Sequence, residues 1–303
     1  MWKILFFLPC QQGMKELLHL FSSMVLVYPA FPVQGRSPEK DKRNLPEKIK
    51  TLPPMHLPPI RQHGTLLRRY KRFLADITLV DGTELTVHCP NSGAMRGCSA
   101  PGSPVILSKS DNPKRKYAWT LEMVHQNGVW IGVNTGMTNK LVHEAFTSGV
   151  IDAFGRIASV QPEVKVSDKS RLDFLLQTED GPVYVEVKNC SLVEEDKAMF
   201  PDAVTARGTK HLHELARLID KETRAAVLFC VQRADGRCFA PARHIDPVYA
   251  ETLIEVRQQG VEVLAYRAEV SPEEVRIVSV MEICPEFLGK QPGEKKETRM
   301  NKG

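Results

Sequence analysis

Arg171-Leu-Asp-Phe-Leu-Leu-Gln-Thr-Glu-Asp-Gly-Pro-Val-Tyr-Val-Glu-Val-Lys-Asn189 reads as two alternating strands joined at a polar turn. Side chains on a strand alternate faces, so Val183, Val185 and Val187 share one side while Tyr184, Glu186 and Lys188 share the other. Leu172, Phe174 and Leu176 likewise leave Asp173 opposite. A turn around Glu179, Asp180 and Gly181 keeps both apolar rows on the core side, and that register sets Asp173 beside Glu186. Two carboxylates that close repel and call for a cation between them, and oxygen ligands select a hard ion, Mg2+ or Mn2+. Lys188, one strand-step further on, is placed to stabilise charge developing on a phosphoryl group. This is the arrangement of a metal-dependent nuclease; the plain alternative is a solvated face on which acids and lysines pair.

The Glu-x-Lys triplet recurs at Glu163-Val-Lys165, Glu195-Asp-Lys197 and Glu294-Lys-Lys296. Only the first lies in an alternating stretch, with Asp152 upstream, and Pro162 ahead of it marks an edge strand or a strand start. A buried central strand suits a metal site better, which favours Glu186.

Residues 64–135 read as short strands separated by turns, Asp81-Gly82 and Asn127-Gly128 among them, and a small closed or half-closed barrel fits that pattern. Arg68, Arg69, Lys71 and Arg72, then Lys114, Arg115 and Lys116, are interleaved with Tyr70, Phe73 and Trp119. That mixture suits phosphate contacts with bases stacked on aromatics, whereas Phe73 itself is read as core. Residues 137–148 read as a helix with Asn134-Thr135 as N-cap and Gly149 as stop, burying Leu141, Val142, Ala145 and Phe146. Beyond the hairpin, a helix over 204–221, an apolar strand over 225–231, a helix over 247–259 and a strand over 261–270 alternate. Such an order builds an α/β sheet with crossover helices.

The stretches Arg69-Tyr-Lys-Arg-Phe-Leu-Ala-Asp76, His88-Cys-Pro-Asn-Ser-Gly93, Val133-Asn-Thr135, Arg171-Leu-Asp173, Val185-Glu-Val-Lys-Asn189, Phe200-Pro-Asp-Ala203 and Arg207-Gly-Thr-Lys-His-Leu-His-Glu-Leu215 occur in this order. Through them, from about residue 64 to 280, the chain resembles the sugar fermentation stimulation protein A family. The resemblance implies an α/β protein, α+β overall, with an N-terminal OB-fold-like β-barrel followed by a PD-(D/E)XK restriction-endonuclease-like α/β domain. The boundaries drawn from it are 55–135 for the nucleic-acid-binding barrel and 136–286 for the nuclease-like domain. Residues 1–54 are then an extension outside the resemblance, with Met55 as the expected start, and 287–303 a polar tail. The resemblance further implies that an acid on the first helix, Glu144, completes the metal shell around Asp173 and Glu186. It also implies that Arg207, Lys210 and His211 border the site and contact nucleic acid, together with Arg68, Arg69, Lys71, Arg72 and Lys116 of the barrel.

The chain has 303 residues, 42% of them hydrophobic, and a net charge of +5, a mild basic bias that suits a polyanionic partner. Its seven cysteines include no Cys-x-x-Cys pair, which removes zinc-ribbon and thioredoxin-like readings and favours a reduced, cytoplasmic chain. No run of about 20 uninterrupted apolar residues argues for a membrane span. The expected activity is Mg2+- or Mn2+-dependent phosphodiester hydrolysis on DNA. The alternative is a non-catalytic DNA-binding regulator of sugar metabolism genes on a nuclease-like scaffold.

Overall fold

The structure, a computed structural model, describes residues 57–288 except Lys169. The expectations for residues 1–54 and for the tail beyond 288 lie outside the described residues.

Two six-stranded sheets organise the chain. The first contains β1 (Arg61–Tyr70), β2 (Leu74–Leu79), β3 (Glu84–His88), β4 (Pro104–Lys109), β5 (Trp119–Gln126) and β6 (Val129–Gly132). They lie in the order β3-β2-β1-β4-β5-β6, and a β3–β5 pairing at His88 and Thr120 closes them into a barrel. Alternating inward residues, Leu66, Ala75, Ile77, Val87, Leu107 and Leu121 among them, fill it without exposure. The β5–β6 turn falls on Asn127-Gly128, both at positive φ, where the strand twist demands residues that tolerate the left-handed region. The N-terminal barrel is thus an OB fold.

The second sheet contains β7 (Ile157–Ser167), β8 (Ser170–Thr178), β9 (Gly181–Cys190), β12 (Arg224–Val231), β14 (Glu262–Val270) and β15 (Val275–Met281), in the order β15-β14-β12-β9-β8-β7. The strands β9, β12 and β14 run parallel through crossovers that carry α2 (Ala206–Leu218) and α3 (Pro247–Gln258). The central β12 is buried along nearly its whole length, as a strand covered on both faces must be. On one face α1 (Thr135–Ser148) packs Leu141, Val142, Ala145 and Phe146 against Phe174, Leu176, Val183 and Val185. On the other, α2 and α3 set Leu212, Leu215, Tyr249 and Leu253 against Val227 and Phe229. A small third sheet joins β10 (Leu192–Glu194), β11 (Lys197–Phe200) and β13 (Cys238–Pro241), and a short α4 (Pro285–Leu288) follows. The helix caps match the expected ones: Asn134 accepts from Gly136 N, and Gly149 at φ 76° ends α1.

The two sheets meet through specific contacts. Gly132 N donates to Gln232 O at 2.9 Å, extending the barrel onto the end of β12. Asp202, in the segment between β11 and α2, accepts from Met95 N at 2.7 Å. A Cβ on Gly93 would stand 2.4 Å from the Asp202 carboxylate, so glycine lets this approach form without displacing it.

Two expectations are corrected. Leu172 does not share a face with Phe174 and Leu176; it packs in the α2-side core, while they pack against α1. The reversal occurs where Glu163 of β7, at φ 58°, lies between the pairs Pro162–Phe174 and Val164–Leu172. The wholly reduced reading also fails at one pair, since Cys238 and Cys284 form a disulfide, while Cys89, Cys98, Cys190 and Cys230 are free and buried. Among the described residues no helix is long and apolar enough to cross a membrane.

Candidate active site

The β8–β9 ladder ends at Phe174–Val185, one step short of Asp173 and Glu186. There the Asp173 side chain takes over the backbone's role: its Oδ2 accepts from Val187 N at 2.7 Å, and its Oδ1 accepts from Asn139 Nδ2 of α1 at 2.7 Å. The competing triplet sits on the edge strand β7, where Glu163 is exposed and Arg171 lies 3.6 Å away.

Glu186 is only 3% exposed. Its Oε1 receives Lys188 Nζ at 2.5 Å and also the Nδ1 of His211 from α2. Its Oε2 is buried and has no hydrogen-bond partner. A buried carboxylate oxygen left unsatisfied costs free energy, so a native site that keeps one calls for a further electropositive partner. Burial pushes the Glu186 carboxyl up, but the His211 hydrogen bond and the Lys188 charge together hold it below the usual carboxylate range. Asp173 goes the other way: burial, then the neighbouring Glu186 charge, raises it to about 6 against the pull of Val187 N–H and Asn139.

The Asp173 shift has a measurable consequence. Between about pH 4 and pH 6 the folded chain keeps a proton on Asp173 that the unfolded chain has released, so stability falls as pH rises through that window. A rise from 3.8 to about 6 corresponds to at most about 3 kcal/mol. In chelator, the stability of Asp173→Asn relative to the unmodified protein should therefore improve by up to about 3 kcal/mol between pH 4 and pH 7. Urea titrations that give a pH-independent difference would refute the raised carboxyl.

Both carboxylates line a cavity of about 840 Å³ between the barrel and the second sheet. Arg72, Asn91 and Gly93 supply its barrel wall, Thr138 and Asn139 its α1 wall, and Asp202, Arg207 and His211 the wall leading into α2. The expected residues divide accordingly. Asp173, Glu186, Lys188, Arg72, Arg207 and His211 face one cavity. His211 is buried against Glu186, which makes it a support for that carboxylate rather than a surface contact. Lys210 is exposed beside Glu214 at 3.5 Å, outside the cavity lining.

Glu144 does not line the cavity, to which α1 contributes Asn139 and Thr138. Five residues along a helix amount to about 140° of rotation, which carries position 144 away from the face holding Asn139. Thr138, a buried polar residue at the head of the Leu141–Val142 stripe, is the signal in the sequence that α1 turns a polar end toward a site. Arg69 is corrected. Its guanidinium donates to the carbonyls of Arg72, Asn91, Gly93 and Ala94, so it is an internal strut of the barrel's loop. Arg68 pairs with Asp76 at 2.8 Å and lies over Tyr70, Lys71 is exposed in the β1–β2 turn, and Lys116 lies over Tyr117. Phe73, read as core, is half exposed.

Comparison with known proteins follows the same division. The model described as "SfsA N-terminal OB domain" matches residues 67–133, and "Sugar fermentation stimulation protein RE domain" matches 136–274. A sugar fermentation stimulation protein homolog of Desulfotalea psychrophila is 58% identical over 205 residues, covering 68% of this chain and 87% of the relative. The homolog of Geobacter sulfurreducens is 52% identical over 223 residues, covering 74% and 96%. A solved structure, Pyrococcus furiosus SfsA in complex with Ca2+, is similar at a TM-score of 0.68 and 25% identity, covering 76% of this chain and 98% of that one.

Proposed function

We propose, from the premise that the chain belongs to the sugar fermentation stimulation protein family, that it binds DNA and hydrolyses phosphodiester bonds with Mg2+ or Mn2+ at Asp173 and Glu186. One observation carries this reading: Glu186 Oε2 is buried and unpartnered beside a second carboxylate in a cavity lined by arginines. The residues fit a hard cation, because both ligands are oxygens and each carboxylate oxygen of Asp173 keeps a lone pair beyond its one hydrogen bond. The archaeal relative's complex with Ca2+, a cation of the same oxygen-seeking class, supports the assignment.

When bound, such a cation polarises a phosphoryl oxygen and acidifies water. The chain supplies the rest. Asn139 and Val187 N–H orient Asp173, while His211 and Lys188 hold Glu186 Oε1 and leave Oε2 as the oxygen that would hold a cation. Lys188 retains N–H donors for a phosphoryl oxygen as negative charge develops there. Arg72 and Arg207 offer positive charge to the flanking phosphates.

The non-catalytic regulator is favoured by a single observation: among the described residues no three His, Cys, Asp or Glu side chains are arranged so that they could hold a metal ion together. Two carboxylates nevertheless suffice for Mg2+, which commonly keeps several waters. The deciding experiment incubates the full chain with single-stranded DNA, duplex DNA and RNA in Mg2+, Mn2+ or chelator. Cleavage of at least one substrate with either ion, abolished by chelator, is expected. Intact substrates in every ion, with DNA still retained, would move the assignment to the regulator.

A further inference from the structure

The β1–β2 turn is unusual for its composition. It spans three residues, Lys71, Arg72 and Phe73, between the paired strand ends Tyr70 and Leu74. Lys71 at 51° and Arg72 at 63° both lie in the left-handed region that Gly and Asn enter most readily. Side chains rarely tolerate this backbone, and such outliers persist only where the surroundings impose them. The surroundings do so here: Arg69 Nη2 donates to Arg72 O at 2.8 Å, and Cys89 N donates to Phe73 O at 2.8 Å. The same guanidinium ties in Asn91 O and Gly93 O. The turn is therefore fixed to the loop that forms the barrel wall of the cavity.

This fixed turn presents two cations and a ring. Lys71 and Arg72 are exposed, Arg72 lines the cavity of Asp173 and Glu186, and the adjoining Phe73 is 50% exposed while the barrel interior behind it is closed. Beside two cations this ring has the makings of a stacking platform for a flat, anionic polymer.

We propose that Lys71, Arg72 and Phe73 form a clamp for single-stranded nucleic acid at the mouth of the cavity, with a base stacked on Phe73 and the adjacent phosphate held by Arg72. The proposal rests on the functional reading above and narrows its substrate to strands with unpaired bases. In a duplex the base faces are covered by their neighbours, so a lone platform at a cavity mouth has nothing to stack on. A single strand leaves every π-face free and places the next phosphodiester toward the carboxylates.

The test measures binding of the full chain in chelator, by anisotropy of a fluorescein-labelled oligothymidylate and of a hairpin duplex of equal length. Phe73→Leu is expected to weaken oligothymidylate binding by about tenfold or more, the scale of one lost base stack, and to leave the hairpin nearly unaffected. Phe73→Trp should retain binding, and its added indole emission should be quenched by the single strand alone. Equal affinities for the unmodified protein and Phe73→Leu, with unchanged thermal melting, would overturn the clamp while leaving the nuclease reading intact. Indole emission of the Phe73→Trp variant that is indifferent to oligothymidylate would also overturn it. If the unmodified protein retains neither ligand at low salt, the clamp and the wider reading fall together.

Discussion

Lys188→Ala is expected to cut hydrolysis at saturating Mn2+ by about 100-fold or more while changing nucleic-acid retention little, the loss typical when one charge-stabilising donor is removed. The side chain is 13% exposed, lines the cavity and contacts Glu186 Oε1. The His211 contact remains at that oxygen in the variant, so the carboxylate is not stranded. Single-turnover rates measured beside filter retention separate the two effects. A parallel fall of rate and affinity would mean that Lys188 serves binding, and an unchanged rate would remove it from the chemistry.

The second large effect is on stability. Arg233, just after β12, is 1% exposed and is the largest fully buried side chain described. It is held by a two-pronged contact, Nε to Asp235 Oδ1 and Nη2 to Oδ2, both 2.6 Å, and by Nη1 to Ser191 O at 2.7 Å. Asp235→Ala strands that guanidinium and should cost about 3 kcal/mol at pH 7, since an uncompensated buried charge is what makes broken internal pairs expensive. Burial pushes the Asp235 carboxyl up, but the Arg233 hydrogen bond and charge outweigh it and hold it below its usual value. Its stabilisation is thus present above about pH 4 and is lost as pH falls through the depressed folded value. Urea denaturation of Asp235→Ala and of Arg233→Met/Asp235→Ala checks this. The double variant should recover much of the loss, and a cost under about 1 kcal/mol for the single variant would mean that water reaches the guanidinium.

Period-two alternation with one polar turn is enough to set the β8–β9 register as far as Phe174 and Val185, next to Asp173 and Glu186, because a slip of one residue would turn both apolar rows to the wrong face. Helix ends at Asn134 and Gly149, and the buried β12, are legible for the same local reason. What escapes depends on distant partners. Leu172 changes faces at a distortion centred on another strand. Asn139 and not Glu144 lines the cavity, because about 140° of helix rotation separates the two positions. Arg69 looks like any strand arginine until three carbonyls from the segment after β3 and one from the β1–β2 turn converge on it, and the partners Cys238 and Cys284 lie 46 positions apart. Phe73 is expected inward because aromatics usually are; the two left-handed residues before it turn it out.

The fit of Gly93 against Asp202 restricts how this chain can vary by descent. Met95 N holds the carboxylate across 107 positions of sequence, and any side chain at position 93 would have to displace that carboxylate from its hydrogen bond. A recombinant gene joining the barrel of one relative to the sheet of another would have to carry both members of this fit, or lose the wall that encloses the cavity. Exchange of the barrel between relatives is therefore constrained at this contact.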